Sequence, residues 1–162
     1  MKRTVAAACL ALAAPGTIAQ VACNLSVTPL AFGVYDTLGA LDNRVNGDVA
    51  IDCRLLDPNA AQRISYSIAI GAGNSGSFAQ RTMRAPGRTD LLAYNVYLNS
   101  VSPATVWGDG TGGAVAATGS ITVNKNTPRR PVSLPMIGVI PARQPVGAGV
   151  YGDTLTVTIT WN

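Results

Sequence analysis

Gly149-Val150-Tyr151-Gly152-Asp153-Thr154-Leu155-Thr156-Val157-Thr158-Ile159-Thr160-Trp161-Asn162 is the stretch that decides the fold. In an extended chain Leu155, Val157, Ile159 and Trp161 point one way, and Thr154, Thr156, Thr158 and Thr160 the other. Alternation of β-branched and aromatic residues with a period of two predicts a strand with one apolar face. The sequence stops one residue after Trp161. The expectation is therefore a final strand whose apolar face borders a gap that nothing later in the chain fills.

Working outward, the same alternation recurs. Cys23, Leu25 and Val27 predict a strand that Pro29 interrupts, and Phe32–Asp36 predicts a second short extended piece. Val49, Ile51 and Cys53 predict another strand, with Asn46-Gly47 before it as a favoured hairpin turn. Asp57-Pro58-Asn59 reads as a turn. Ile64, Tyr66, Ile68 and Ile70 predict a strand, as do Leu92, Tyr94, Val96 and Leu98. Phe78–Arg84 is a weaker candidate that ends at Pro86-Gly87. Ile121 and Val123 mark a short strand. Val132–Ile140 is extended and apolar, but Pro131, Pro135 and Pro141 predict an edge or irregular position, because proline donates no ladder hydrogen bond. No stretch of the mature chain has a helical period. Many short strands separated by turn signals predict an all-β sandwich.

The first 19 residues have the form of a secretory signal: Lys2 and Arg3, an apolar run from Val5 to Ala14, and the small-x-Ala pattern Thr17-Ile18-Ala19. The run is too short to serve as a membrane span. The domain division is thus 1–19 signal and 20–162 a single exported domain. Cys9 leaves with the signal, and Cys23 and Cys53 remain as an even pair in an oxidising compartment, which implies a disulfide. A lipidated Cys23 is the alternative; Gln20-Val21-Ala22 lacks the usual upstream Leu, and lipidation would orphan Cys53.

Composition excludes several function classes. The chain has no His and no Glu, which removes Ser-His-Asp triads, most zinc sites and His-based acid–base chemistry. Ten basic residues against eight Asp follow the signal, a net of +2 scattered along the chain and no footprint for nucleic acid. No catalytic, cofactor-binding or metal-binding residue is assigned, and the reading is not an enzyme. Gly71-Ala72-Gly73-Asn74-Ser75-Gly76 matches G-x-G-x-x-G, but no crossover helix follows, so a hairpin loop is expected. Trp107-Gly108-Asp109-Gly110-Thr111-Gly112-Gly113 has one charged oxygen donor and no Lys-Ser/Thr ending, so it reads as a surface loop rather than a calcium or phosphate loop. Asn24-Leu25-Ser26 is a chance glycosylation sequon. Arg81, Arg84 and Arg88 read as a solvated strand face.

Several stretches in this order carry a family resemblance. They are Leu30-Ala31-Phe32-Gly33-Val34-Tyr35-Asp36, the Cys23…Cys53 spacing, Met83-Arg84 ahead of Gly87, and Leu92-Ala93-Tyr94-Asn95-Val96-Tyr97. Trp107–Gly112, Gly138-Val139-Ile140-Pro141-Ala142-Arg143-Gln144 and Gly149–Asp153 complete the set. Together they resemble the spore coat protein U domain family, whose better-understood members are subunits of archaic, Csu-type chaperone–usher pili. The resemblance implies an incomplete immunoglobulin-like sandwich, with the last strand missing and supplied in trans. It implies a periplasmic chaperone, an outer-membrane usher and sibling subunits as partners, and a role in surface adhesion or biofilm formation. A secreted coat or surface-binding module that does not polymerise is the alternative.

On that reading Leu155, Val157, Ile159 and Trp161 line the donor-strand groove. Fully burying all four is worth about 6–12 kcal/mol, comparable to a whole domain's stability. One departure stands out. Gln20-Val21-Ala22, about 10 Å of extended chain at most, is too short a donor extension, which points to a terminal subunit that accepts a strand but gives none.

Overall fold

The computed structural model describes residues 21–57 and 59–162, so the secretory signal lies outside the described residues. Eight strands form two sheets, and no α-helix occurs among the described residues. The strands are β1 (Val21–Thr28), β2 (Asn43–Leu55), β3 (Gln62–Ile70), β4 (Arg81–Arg84), β5 (Leu91–Leu98), β6 (Ala117–Val123), β7 (Arg129–Ile140) and β8 (Val157–Trp161). The larger sheet runs β1-β2-β7-β5-β4 and the smaller β6-β3-β8. All pairings are antiparallel.

The core lies between the sheets, where the predicted apolar phases meet. Val49, Ile51 and Cys53 of β2 and Ile64, Ile68 and Ile70 of β3 are buried. So are Leu92, Tyr94 and Val96 of β5 and Ile121 and Val123 of β6. Cys23 and Cys53 sit directly opposite in the β1–β2 register and are disulfide-bonded. The bridge spans a sequence separation of 30, so Cys53→Ala, with Cys23→Ala to avoid a free thiol, should cost about 3–4 kcal/mol by loop entropy. Urea unfolding of the double variant checks this.

Three expectations are corrected. Asn46-Gly47 is not a turn: both residues lie inside the 13-residue β2, opposite Ile137 and Met136. Glycine is needed there for space, since a Cβ at Gly47 would stand 2.6 Å from Met136 Cε and 2.7 Å from the Thr28 carbonyl oxygen. The proline-bearing segment is not an edge either. β7 lies between β2 and β5, and β2 covers its whole length. The prolines fit because of register. The Pro135 carbonyl accepts from Asn99 N at 3.0 Å, so the nitrogen and oxygen of Pro135 both face away from β2. Pro131 shares that phase, and the β5 ladder reaches only Met136–Val139. Neither proline removes a bond the sheet needs. Finally, Gly71–Gly76 connects two sheets rather than closing a hairpin; Phe32–Asp36 joins no ladder and turns at Gly33, whose φ is 67°.

Candidate strand-accepting groove

β8 pairs with β3 along one edge only, and its other edge is free among the described residues. The hydrogen-bond phase decides which groups are free. Asn162 and Ser65 exchange backbone bonds at 3.2 Å, and Gly71 N donates to Thr156 O at 2.9 Å. Even-numbered residues therefore bond to β3. In an antiparallel strand the intervening residues direct N–H and C=O to the opposite side. Leu155, Val157, Ile159 and Trp161 thus present apolar side chains toward the core and their backbone groups toward the open edge.

A second wall faces this edge. After β1 the chain leaves the ladder and crosses the inner face of the large sheet as Pro29–Asp36. Two glycines make the crossing possible. A Cβ at Gly138 would stand 2.6 Å from Phe32 Cζ and 2.9 Å from Leu30 Cδ1, and Gly47 is as crowded. Phe32 packs edge-on against Tyr94 at 6.0 Å. Asn43 Nδ2 donates to the Phe32 and Val34 carbonyls, and the Tyr35 hydroxyl donates to Pro141 O at 2.7 Å. Among the described residues, no backbone group from Pro29 to Tyr35 pairs with another backbone group.

Between the walls lies a cavity of about 390 Å³. Val27, Leu30 and Phe32 line one side, Tyr151, Leu155 and Val157 the other, and Ile70, Met83 and Met136 the floor. It continues past Phe32, Gly33, Met83 and Tyr151 into a second depression of about 710 Å³ beside Val34, Val146 and Val150. As one wall rises in number from Val27 to Val34, the other falls from Val157 to Val150, so the walls are antiparallel.

The four residues expected to line the groove are placed unevenly. Leu155 and Val157 line the cavity. Ile159 is half-buried against the core opposite Ile68. Trp161 lies outside the cavity, 51 % exposed, in a shallow depression with Ser65, Tyr66 and Thr160.

Two carboxylates fix the groove's walls. Asp153 accepts from the Tyr94 hydroxyl at 2.7 Å and from Asn74 N at 3.0 Å, tying the run into β8 to β5 and to the 71–76 connection. Burial first, then this bond, push the Tyr94 phenol above its ordinary range. Asp90 accepts from the Arg88 guanidinium at 2.8 Å, Gly147 N at 2.7 Å and the Tyr151 hydroxyl at 2.9 Å. Those three donors, Arg88 foremost, hold its carboxyl far below the usual carboxylate range. The bond set is thus intact above the unfolded-state pKa of about 4 and weakens as pH falls through the lower folded value. Asp90→Asn should flatten the acid limb of the stability–pH curve below about pH 4 and speed hydrogen exchange at the Gly147 amide. Melting profiles across pH and amide exchange check both.

Arg81 is a correction with consequences. Expected on a solvated face, it is completely buried. Its Nε and Nη2 donate to Gly71 O at 3.1 and 2.9 Å, Nη2 also to Trp107 O at 2.7 Å, and Nη1 to Asn95 Oδ1 at 2.6 Å. The guanidinium also lies over the Phe78 ring, 5.3 Å from its centroid. Desolvation lowers its pKa, with negative Asp153 among the groups opposing. Trp107 is likewise core rather than surface: it is fully buried and donates Nε1–H to Ile68 O at 3.0 Å. Only Asp109–Gly113 of that loop is exposed. Asn95, which sequence reading passed over, is buried and bonds to Phe78 O at 2.9 Å.

No group of three or more metal-ligating side chains occurs among the described residues. No helix among them is long and apolar enough to cross a membrane.

Comparison with known proteins gives a consistent picture. The family model described as Spore Coat Protein U domain matches residues 5–158. Protein U of Myxococcus xanthus is 30 % identical over 138 residues, covering 82 % of this chain and 71 % of that protein. Among solved structures, a chain of the CsuC–CsuE chaperone–tip adhesion subunit pre-assembly complex, from the archaic chaperone–usher Csu pili of Acinetobacter baumannii, superimposes with a TM-score of 0.52 at 19 % identity. That match covers 86 % of this chain but 39 % of the other, so the likeness is one of fold over part of a longer protein. On the family match and the curated relative together, the chain belongs to the spore coat protein U domain family.

Proposed function

We propose that the protein is an exported, non-enzymatic structural subunit of a chaperone–usher type fibre that accepts a strand in trans. One observation carries this reading: the Pro29–Tyr35 segment, which pairs with no other backbone, and the outer edge of β8, where Val157 and Ile159 direct their N–H and C=O away from β3, face each other across an apolar groove. Unpaired backbone beside an apolar cleft is costly, and an inserted strand satisfies both walls at once. Because the walls are antiparallel, any such strand runs parallel to one and antiparallel to the other. Residues 1–19 would direct export. A periplasmic chaperone would supply the first strand, and a sibling subunit would replace it at the outer-membrane usher. Surface adhesion or biofilm formation is the role such a fibre would serve. Burial of the indole of Trp107 weakens the alternative of a binding module built on that loop.

Co-expression in a periplasm tests the reading. The protein should be recovered as a one-to-one complex with a Csu-type chaperone, and Val157→Asp should abolish recovery. Equal yields of soluble monomer with and without the chaperone would count against it.

A further inference from the structure

We propose that Val34, Leu38, Leu41 and Val150 form a seat for the folded body of the subunit whose strand fills the groove. This rests on the groove reading and adds to it where the partner's body sits. The four side chains are 94, 88, 85 and 85 % exposed, the most exposed large apolar residues among those described. Val34 joins Val150 and Leu41. It shares one depression with Val150 and the adjoining one with Leu41. Leu38 stands at the tip of the intervening turn. That turn is closed by Gly39 N donating to Asp36 O at 3.2 Å and Leu38 N donating to Asp36 Oδ1 at 2.9 Å, so Leu38 is presented on a defined turn. Polar groups rim the set, including the Asp42–Arg44 ion pair at 3.2 Å.

Continuity identifies the occupant. The depression beneath Val34 and Val150 opens directly into the groove through Phe32, Gly33, Met83 and Tyr151. An inserted strand would cover those four residues but not Leu38 or Leu41, which lie beyond the wall in the 36–41 turn. Something wider than a strand must cover them, and it must lie where the strand leaves the groove. The opposite end offers only Val27 and Trp161, at 42 and 51 % exposure. Contiguous apolar side chains with a polar rim mark a protein-facing surface. The chain emerging from the groove at that end belongs to the donor, so the donor's own folded domain, of the same spore coat U fold, is the partner held closest by tethering.

Two probes separate this proposal from the reading beneath it. One is a synthetic twelve-residue strand with apolar residues at alternate positions. The other is the same segment fused ahead of a second copy of residues 20–162. The unsubstituted protein should bind the fused chain more tightly than the free peptide. The double variant Leu38→Ser, Leu41→Ser should keep peptide affinity within about twofold while losing at least about tenfold for the fused chain. Equal binding of both probes by the unsubstituted protein would overturn the seat, as would a double variant that loses nothing or loses both equally. Failure of the unsubstituted protein to bind either probe would instead remove the groove reading, and the seat with it. Single substitutions at Leu38 and Leu41, both exposed, guard against a misfolded double variant.

Discussion

Adding a synthetic strand of about twelve residues, apolar at alternate positions, to the isolated protein is expected to raise its melting temperature by about 8–10 °C when the peptide stands at about a hundred times its Kd. The length follows from the wall, which runs from Val150 to Trp161. The gain follows from what is left uncovered. Leu155, Val157 and Ile159 are only half-buried although they pack against the core, and Trp161 is half exposed. Completing their burial recovers roughly half of the about 1.5–3 kcal/mol that each full burial is worth. Pairing the free groups of both walls adds to it. A control peptide with Ser at the apolar positions should give no shift. Scanning calorimetry with both peptides distinguishes insertion from unspecific binding, and an equal shift with the Ser peptide would refute insertion.

Replacing Arg81 by Met should destabilise the protein by at least about 3 kcal/mol, more than any other single polar substitution in the core. Methionine fills much of the volume and removes the cost of burying a charge. It also strands the carbonyls of Gly71 and Trp107, which accept from the guanidinium, and leaves the Asn95 side-chain oxygen with the Val96 amide as its remaining donor. An unsatisfied buried acceptor costs about 1–3 kcal/mol. The damage should reach the groove, because Gly71 is also the residue whose N–H holds Thr156 at the start of β8. Arg81→Lys should recover little, since one ammonium cannot span the same acceptors. Denaturant unfolding of the two variants checks the ranking, and a loss below about 1 kcal/mol for Arg81→Met would mean the cage is dispensable.

What the sequence disclosed and what it concealed divide along a physical line. The period of two in Leu155–Trp161, Ile64–Ile70 and Leu92–Leu98 was readable because burial on one sheet face acts residue by residue. The Cys23–Cys53 pair was readable from compartment and count. β7 was misread because a proline's effect depends on which neighbour its missing N–H would have faced, and register settles that only in the assembled sheet. Gly47 was misread as a turn because close approach of Thr28 and Leu30 leaves no local trace. Arg81 was assigned outward on charge alone. Its phase with Met83 and Ala85, both buried, was the available signal. The carbonyls that satisfy it come from β3 and the Trp107 segment, which no local pattern brings together. Along the last strand, the alternation that sets Leu155 and Val157 beside the cavity was legible; the facing segment was not, because Pro29–Tyr35 makes no ladder.

Amide hydrogen exchange resolved by residue along 155–161 tests the central claim most directly. In the isolated protein the Thr158 and Thr160 amides, which face β3, should be protected, while those of Val157 and Ile159 exchange at rates near those of open chain. Binding of a donor strand should bring Val157 and Ile159 to the same protection as their neighbours. Protection of Val157 and Ile159 in the isolated monomer, equal to that of the threonines, would mean that the edge is already closed from within and that no strand is wanted.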